Sequence, residues 1–325
     1  MKLAVLGLGK MGRNIATKLM QDGQQVVAWN RSREVLEEFR NANSEAIVGQ
    51  KLEISHSIES LRDMLQKPRV IWSMLPSGEA TEDMLKEILE SIVEPGDIVI
   101  DGGNANYKDT ERRAKEFEAK GVKFLGIGVS GGIYGLKNGY PLMVGGNESA
   151  YEYIKPILDS LSKPGGVHTY FGPGGAGHFV KMVHNGVEYG MMQAIAEGFG
   201  VLAKSEYKFN LVNVGNTWQK GSIVASFLVY CAVSAMIKDP NLSQFDGFID
   251  AKGEGKWTQE TAKELHVPTP VLDQAIDFRN RSQFDKGVQE TYVAKMVAAL
   301  RNEFGGHEVH KSDGQTPADP TKTNS

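Results

Sequence analysis

The chain has one cysteine, Cys231, in 325 residues. A single thiol excludes an intrachain disulfide and a cysteine-rich metal site, and it fits a reducing compartment. A charge excess is missing as well. Against 36 Lys and Arg stand 40 Asp and Glu, a formal net charge of -4, which gives no electrostatic basis for a nucleic-acid partner but leaves room for local basic pockets that hold a small anion. One apolar stretch, GSIVASFLVYCAVSAMI (221–237), approaches the roughly 20 residues of a membrane span but falls short and is broken by serines. A buried helix is the better reading, and no membrane partner is expected. The N-terminal MKLAVLGLGKMG runs into glycines without a small-residue cleavage site, so no export signal is expected. Residues 311–325, KSDGQTPADPTKTNS, are polar and rich in turn formers, which predicts a disordered tail.

What is present is an ordinary globular composition, 41% hydrophobic and 23% charged, on a chain long enough for two cores. The first half alternates short apolar runs, KLAVLGL, QVVAWN, VIWSML, DIVIDGG and VKFLGIGV, with amphipathic stretches. That order predicts right-handed βαβ crossovers and an α/β fold with a parallel sheet. Beyond residue 178 the pattern becomes helical, with few strand candidates. A boundary near GPGGAGH divides the chain into domains 1–178 and 179–310.

The first apolar run ends in Gly7-Leu8-Gly9-Lys10-Met11-Gly12. Glycines at this spacing between a strand and a helix permit a tight turn and a close approach of backbone to pyrophosphate, whose charge the helix N-terminus attracts. The alternative is a merely structural glycine turn. Its place at the start of a βαβ series favours a dinucleotide site. After the second strand, where an NAD site commonly carries an acid for the ribose hydroxyls, stand Asn30, Arg31 and Ser32. Arg31 is able to pair with a 2′-phosphate and no carboxylate opposes it, so NADP is expected, with NAD still possible; the competing reading of Arg31 is a solvated loop residue. Further loops, Asp101-Gly102-Gly103-Asn104 and Val129-Ser130-Gly131-Gly132, close strands at their carboxyl ends, where such sheets present ligands.

In GHFVKMVHNGVEY (177–189), Lys181, His184, Asn185 and Glu188 fall on one helical face, beside an apolar face of Val180, Val183, Val187 and Met191. A solvated amphipathic face usually carries mixed charges without a preference for His and Asn.

Through GLGKMG, DGGN, GVSGG, GHFVKMVHNGVEY, KGEGKWT and RNEFGGH, the chain resembles the decarboxylating 6-phosphogluconate dehydrogenases in their short form. The wider β-hydroxyacid dehydrogenases share the glycine motif, the SGG loop and the lysine-asparagine pair but lack the His-Asn-Gly-x-Glu-Tyr continuation. The resemblance implies a Rossmann-type doubly wound parallel sheet followed by an all-helical substrate-binding and oligomerisation domain. It implies that Lys181 acts as base and then acid, and that Glu188 is the acid that protonates the enediol. Substrate contacts fall to Asn104, Ser130, Gly131, Gly132, His184 and Asn185. The substrate phosphate falls to Tyr189, Lys252 and Arg279, with Arg301 and His307 supplied by a second subunit. Cofactor contacts fall to Gly7, Gly9, Lys10, Met11, Gly12, Asn30, Arg31, Ser32, Leu75 and Asn104. Met74-Leu75-Pro76-Ser77 departs from the lysine that many relatives carry there and is closer to the hydroxyacid dehydrogenases. The implied reaction is a cytosolic step of the pentose phosphate pathway, carried out by a homodimer or homotetramer. It needs no metal, since a protonated lysine polarises the ketone. Alternatives at this level are a β-hydroxyacid dehydrogenase that does not decarboxylate and a non-catalytic NADP-binding redox sensor.

Overall fold

Lys2–Leu6 (β1), Gln25–Trp29 (β2), Leu52–Ile54 (β3), Val70–Ser73 (β4), Ile98–Asp101 (β5), Lys123–Val129 (β6), Leu142–Gly146 (β7) and His168–Tyr170 (β8) form one sheet, in the order β3-β2-β1-β4-β5-β6-β7-β8. All neighbours pair in parallel except β6 and β7, which are antiparallel. The computed structural model describes residues 1–251 and 253–306. The chain forms two units, Met1–Met182 and Val183–Ser325. The first unit thus extends past the expected end at residue 178 and includes Lys181.

In the first unit the helices are α1 (Lys10–Gln21), α2 (Arg33–Ala42), α3 (Ser44–Val48), α4 (Leu61–Met64), α5 (Glu79–Ser91), α6 (Tyr107–Ala119), α7 (Gly135–Asn138) and α8 (Glu148–Ser162). Successive strand residues face opposite sides, so each strand contributes to two cores. Leu3, Val5 and Trp72 pack with Ile15 and Leu19 of α1, and with Ile154 and Leu158 of α8. Ala4, Leu6 and Ile71 pack on the other face with Leu85 and Ile88 of α5, and with Phe117 of α6. Burial on both faces is why these strands read as near-continuous apolar runs.

The long helix α9 (Ala176–Lys204) begins in the first unit and continues into the second. There follow α10 (Leu211–Trp218), α11 (Phe227–Lys238), α12 (Glu254–Glu264), α13 (Pro270–Ser282), α14 (Lys286–Gln289) and α15 (Tyr292–Gly305). Among the described residues the second unit contains no strand. Its core joins Met192 and Phe199 of α9 to Cys231 and Met236 of α11, Ile276 of α13 and Met296 and Leu300 of α15. The apolar stretch 221–237 is only partly the buried helix expected. Leu228, Cys231, Ala232 and Ala235 are buried, whereas Ile223, Val224, Phe227, Tyr230 and Ile237 are exposed. None of the described helices is long and apolar enough to cross a membrane.

Candidate active site

The strand order reverses between β1 and β4, the position at which open α/β sheets take their ligands. The glycines there do three different things. Gly7 has φ +89, and a Cβ on it would lie 2.7 Å from the Met74 carbonyl oxygen and 2.8 Å from Leu75 Cδ2. A Cβ on Gly12 would lie 1.8 Å from the Gly7 carbonyl oxygen. These two let turn and helix close up, while Gly9, the N-cap of α1, has nothing within 4 Å and leaves its backbone open to a ligand. The first turn of α1 holds no acidic residue, so its N-terminus fits a pyrophosphate.

Asn30 Oδ1 accepts from the Leu8 amide at 2.9 Å, and its Nδ2 donates to the Ser32 carbonyl at 3.1 Å. The Ser32 hydroxyl caps α2 by accepting from the Val35 amide. Both residues therefore shape the loop, and Arg31 stands exposed between them. Lys10 is exposed at the start of α1, but Met11 packs on the core, which makes it a structural residue first. Arg13 was not anticipated. Its Nε donates to the Leu8 carbonyl at 2.9 Å and its Nη2 reaches Glu38 at 2.8 Å, pinning the glycine loop to α2. A cation directly after the third glycine was the available signal.

At the end of β5, buried Asp101 accepts from Arg113 Nη1 at 3.0 Å and from the Gly103 amide at 3.2 Å. Arg113 in turn bonds Glu82 of α5 at 2.7 Å. Arg112, with Arg113, holds the Glu82 carboxyl down at about 2. This network fixes the turn that presents exposed Asn104. After β6, the Ser130 amide donates to the Pro141 carbonyl at 3.0 Å, and Gly131 and Gly132 take positive φ.

Lys181 is 7% exposed. Its seat is set by β6: a Cβ on Gly128 would lie 2.3 Å from Lys181 Cβ and 2.8 Å from its Cγ. One turn earlier, buried His178 has Nδ1 2.7 Å from the Thr110 hydroxyl of α6. That tie was missed from sequence, where His178 stood at the end of the GPGGAGH boundary segment.

In the second unit, His184 Nδ1 lies 2.9 Å from Asn185 Oδ1 and 4.0 Å from Glu188. Val183, Val187 and Met191 are exposed, so along α9 the polar stripe is the more enclosed one. Tyr189 is buried under Arg279, whose guanidinium carbon sits 3.3 Å from the ring centroid. Arg279 is 1% exposed, and burial pushes its pKa down to about 10. Its Nη1 is buried without a hydrogen-bond partner. Arg301, on α15, was expected in a partner's site. In this chain its charge acts on both Tyr189 and Arg279. Lys252 and His307 lie outside the described residues.

Two family models cover most of the chain. The NAD binding domain of 6-phosphogluconate dehydrogenase matches residues 2–172, and the 6-phosphogluconate dehydrogenase C-terminal domain matches residues 177–292. The chain belongs to the 6-phosphogluconate dehydrogenase family. The NAD(+)-dependent, decarboxylating 6-phosphogluconate dehydrogenase of Haloferax volcanii is 35% identical over 314 residues, 96% of this chain and 100% of that protein. The NADP(+)-dependent, decarboxylating enzyme of Bacillus subtilis is 39% identical over 286 residues, 85% of this chain and 60% of that protein. The solved Plasmodium falciparum 6-phosphogluconate dehydrogenase, described in its apo form and in complex with NADP+ and with 6-phosphogluconate, superposes with a TM-score of 0.79 at 35% identity, over 87% of this chain and 62% of that one. This member of the family thus matches the haloarchaeal protein end to end and spans about three fifths of the other two.

Proposed function

We propose that the chain oxidises and decarboxylates 6-phosphogluconate to ribulose 5-phosphate and carbon dioxide, with NADP as the preferred acceptor. The observation that carries this reading is Lys181, a lysine buried at the start of α9 and seated against the carboxyl-terminal part of β6. A buried amine is easier to keep neutral, which a base requires. Lys181 takes the proton of the C3 hydroxyl. The bound nicotinamide supplies the acceptor for the hydride that leaves C3. The resulting ketone lies β to the C1 carboxylate. When the C1–C2 bond breaks and carbon dioxide departs, its electron pair moves into the ketone, and the Lys181 ammonium protonates the oxygen to give the enediol. Glu188 then delivers a proton to carbon. His184 and Asn185 orient the substrate, and Tyr189, Arg279 and Arg301 hold its phosphate. The buried, unmatched Nη1 of Arg279 supports that role, because an anion would satisfy it.

For the acceptor, support comes from Arg31, exposed beside the end of β2 with no carboxylate at positions 30 or 32. Relatives of both kinds exist, NAD(+)- and NADP(+)-dependent. A homo-oligomer working in the cytosol completes the reading, supported by the exposed apolar side chains of Phe227, Tyr230 and Ile237 on α11. The test pairs NADPH formation with carbon dioxide release from 6-phosphogluconate. One carbon dioxide per NADPH is the expected stoichiometry, and NADPH without carbon dioxide would instead indicate a hydroxyacid dehydrogenase.

A further inference from the structure

We infer that Glu254 is a specificity-determining residue that narrows the preference of this site for phosphorylated over unphosphorylated sugar acids. The inference rests on the proposed placing of the substrate terminus at Arg279. Among the buried polar atoms of the second unit without a hydrogen-bond partner are one of Arg279, which stacks on Tyr189, and one of Glu254, which directly precedes the glycine packed on that ring. Arg279 Nη1 is a donor without an acceptor, and Glu254 Oε1 is an acceptor without a donor. Arg279 stacks on Tyr189 at 3.3 Å. Gly255 closes on the same ring, since a Cβ there would lie 2.3 Å from Tyr189 Cε2, and the charge of Glu254 acts on the Tyr189 hydroxyl.

Buried polar groups are normally matched, so an unmatched donor and an unmatched acceptor around one ring point to a ligand that offers both complements. A primary hydroxyl does so: its oxygen accepts from Arg279 and its hydrogen is donated to Glu254. A dianionic phosphate satisfies Arg279 and gains from Arg301, but it has no proton for Glu254 and sets like charge against like. Glu254 therefore weakens the phosphate's advantage while the two arginines maintain it. The KGEGKWT segment, with a carboxylate between its glycines, supplies an acid where a phosphate site gains nothing from one.

The experiment measures Kd for 6-phosphogluconate and for gluconate, by calorimetry, on the parent chain, Glu254→Gln and Glu254→Thr. Both variants remove the charge, and the first keeps the size of the side chain. The expected result is tighter 6-phosphogluconate and weaker gluconate in both variants, raising the preference ratio by about tenfold. A ratio that changes less than about twofold in both variants, each folded by its thermal transition, overturns the inference. Binding is read without turnover. If the parent binds both acids but releases no carbon dioxide, the proposed reaction falls and the role of Glu254 stands or falls on the ratio alone; if neither acid binds, both fall.

Discussion

Replacing Gly128 by alanine tests whether close packing of α9 on β6 places Lys181. The added methyl would lie 2.3 Å from Lys181 Cβ, 2.8 Å from Cγ and 3.3 Å from the Gly177 carbonyl oxygen, where ordinary contact begins at 3.4 Å. The lysine stem therefore has to retreat by about 1 Å, and because the backbone of α9 stands directly over β6, the first turns of the helix move with it. Overpacking of this kind costs about 1–3 kcal/mol. For a unit of this size each kcal/mol lowers Tm by about 2–4 °C, so a fall of roughly 4–8 °C is expected at the middle of the range. A misplacement near 1 Å costs on the order of a hundredfold in rate, so kcat should drop far more than the stability loss suggests. Cofactor KM should hardly change, since the glycine loop after β1 does not touch this position. The matching control is Gly9→Ala, which meets nothing within 4 Å. It should leave Tm alone and raise cofactor KM. Steady-state kinetics and calorimetry on the two variants separate the effects. A Gly128→Ala enzyme with kcat within about threefold of the parent would show that Lys181 does not depend on this seat.

Arg31→Ala should lower kcat/KM for NADP by about 10- to 100-fold, the worth of a charged bidentate contact, with little change for NAD. Adding Asn30→Asp should reverse the preference while keeping an acceptor for the Leu8 amide, and an unchanged NADP/NAD ratio would mean that Arg31 serves only solvent. Glu82 is held at about 2 by its arginines against an ordinary value of 4.5, so it favours the folded state above pH 4.5 and loses that contribution as pH falls toward 2. Glu82→Gln should accordingly melt below the parent at pH 6, with the two Tm values converging in acid; a constant gap would refute the linkage. Mixing Lys181→Met chains with Arg301→Ala chains should restore no activity, because Arg301 lies by its own chain's Tyr189 and Arg279; recovery in the mixed oligomer would place Arg301 in trans.

Five strands were legible from the sequence because each is an apolar run buried on both faces and ended by a turn former. The other three were not, for physical reasons. β3 and β8 have three residues each, too few for a period to show. β7 ends in Gly145 and Gly146, residues that weaken a strand signal, and it needs the first because a Cβ there would lie 2.2 Å from the Gly177 amide nitrogen at the start of α9. The helix that carries Lys181 thus uses up the side-chain space that would have made its supporting strand recognisable.

The same trade governs the site. Lys181, His184, Asn185 and Glu188 could be picked out because a polar stripe of these residue types has few structural uses, whereas Arg279 came only through the family resemblance. Residues that fix the neighbouring loops and the start of α9 could not. Arg13, Arg113 and His178 look like ordinary members of amphipathic helices, and only their partners, the Leu8 carbonyl, Asp101 and Thr110, reveal what they fix. Asn30 combines both kinds of reading, a polar residue assigned to the cofactor whose side-chain amide also ties the Leu8 amide to the Ser32 carbonyl. Sequence spacing finds groups whose type suits a ligand, because chemistry restricts that type. It is blind to groups that meet the backbone, because many residue types can donate to a carbonyl and the fold alone decides which one arrives.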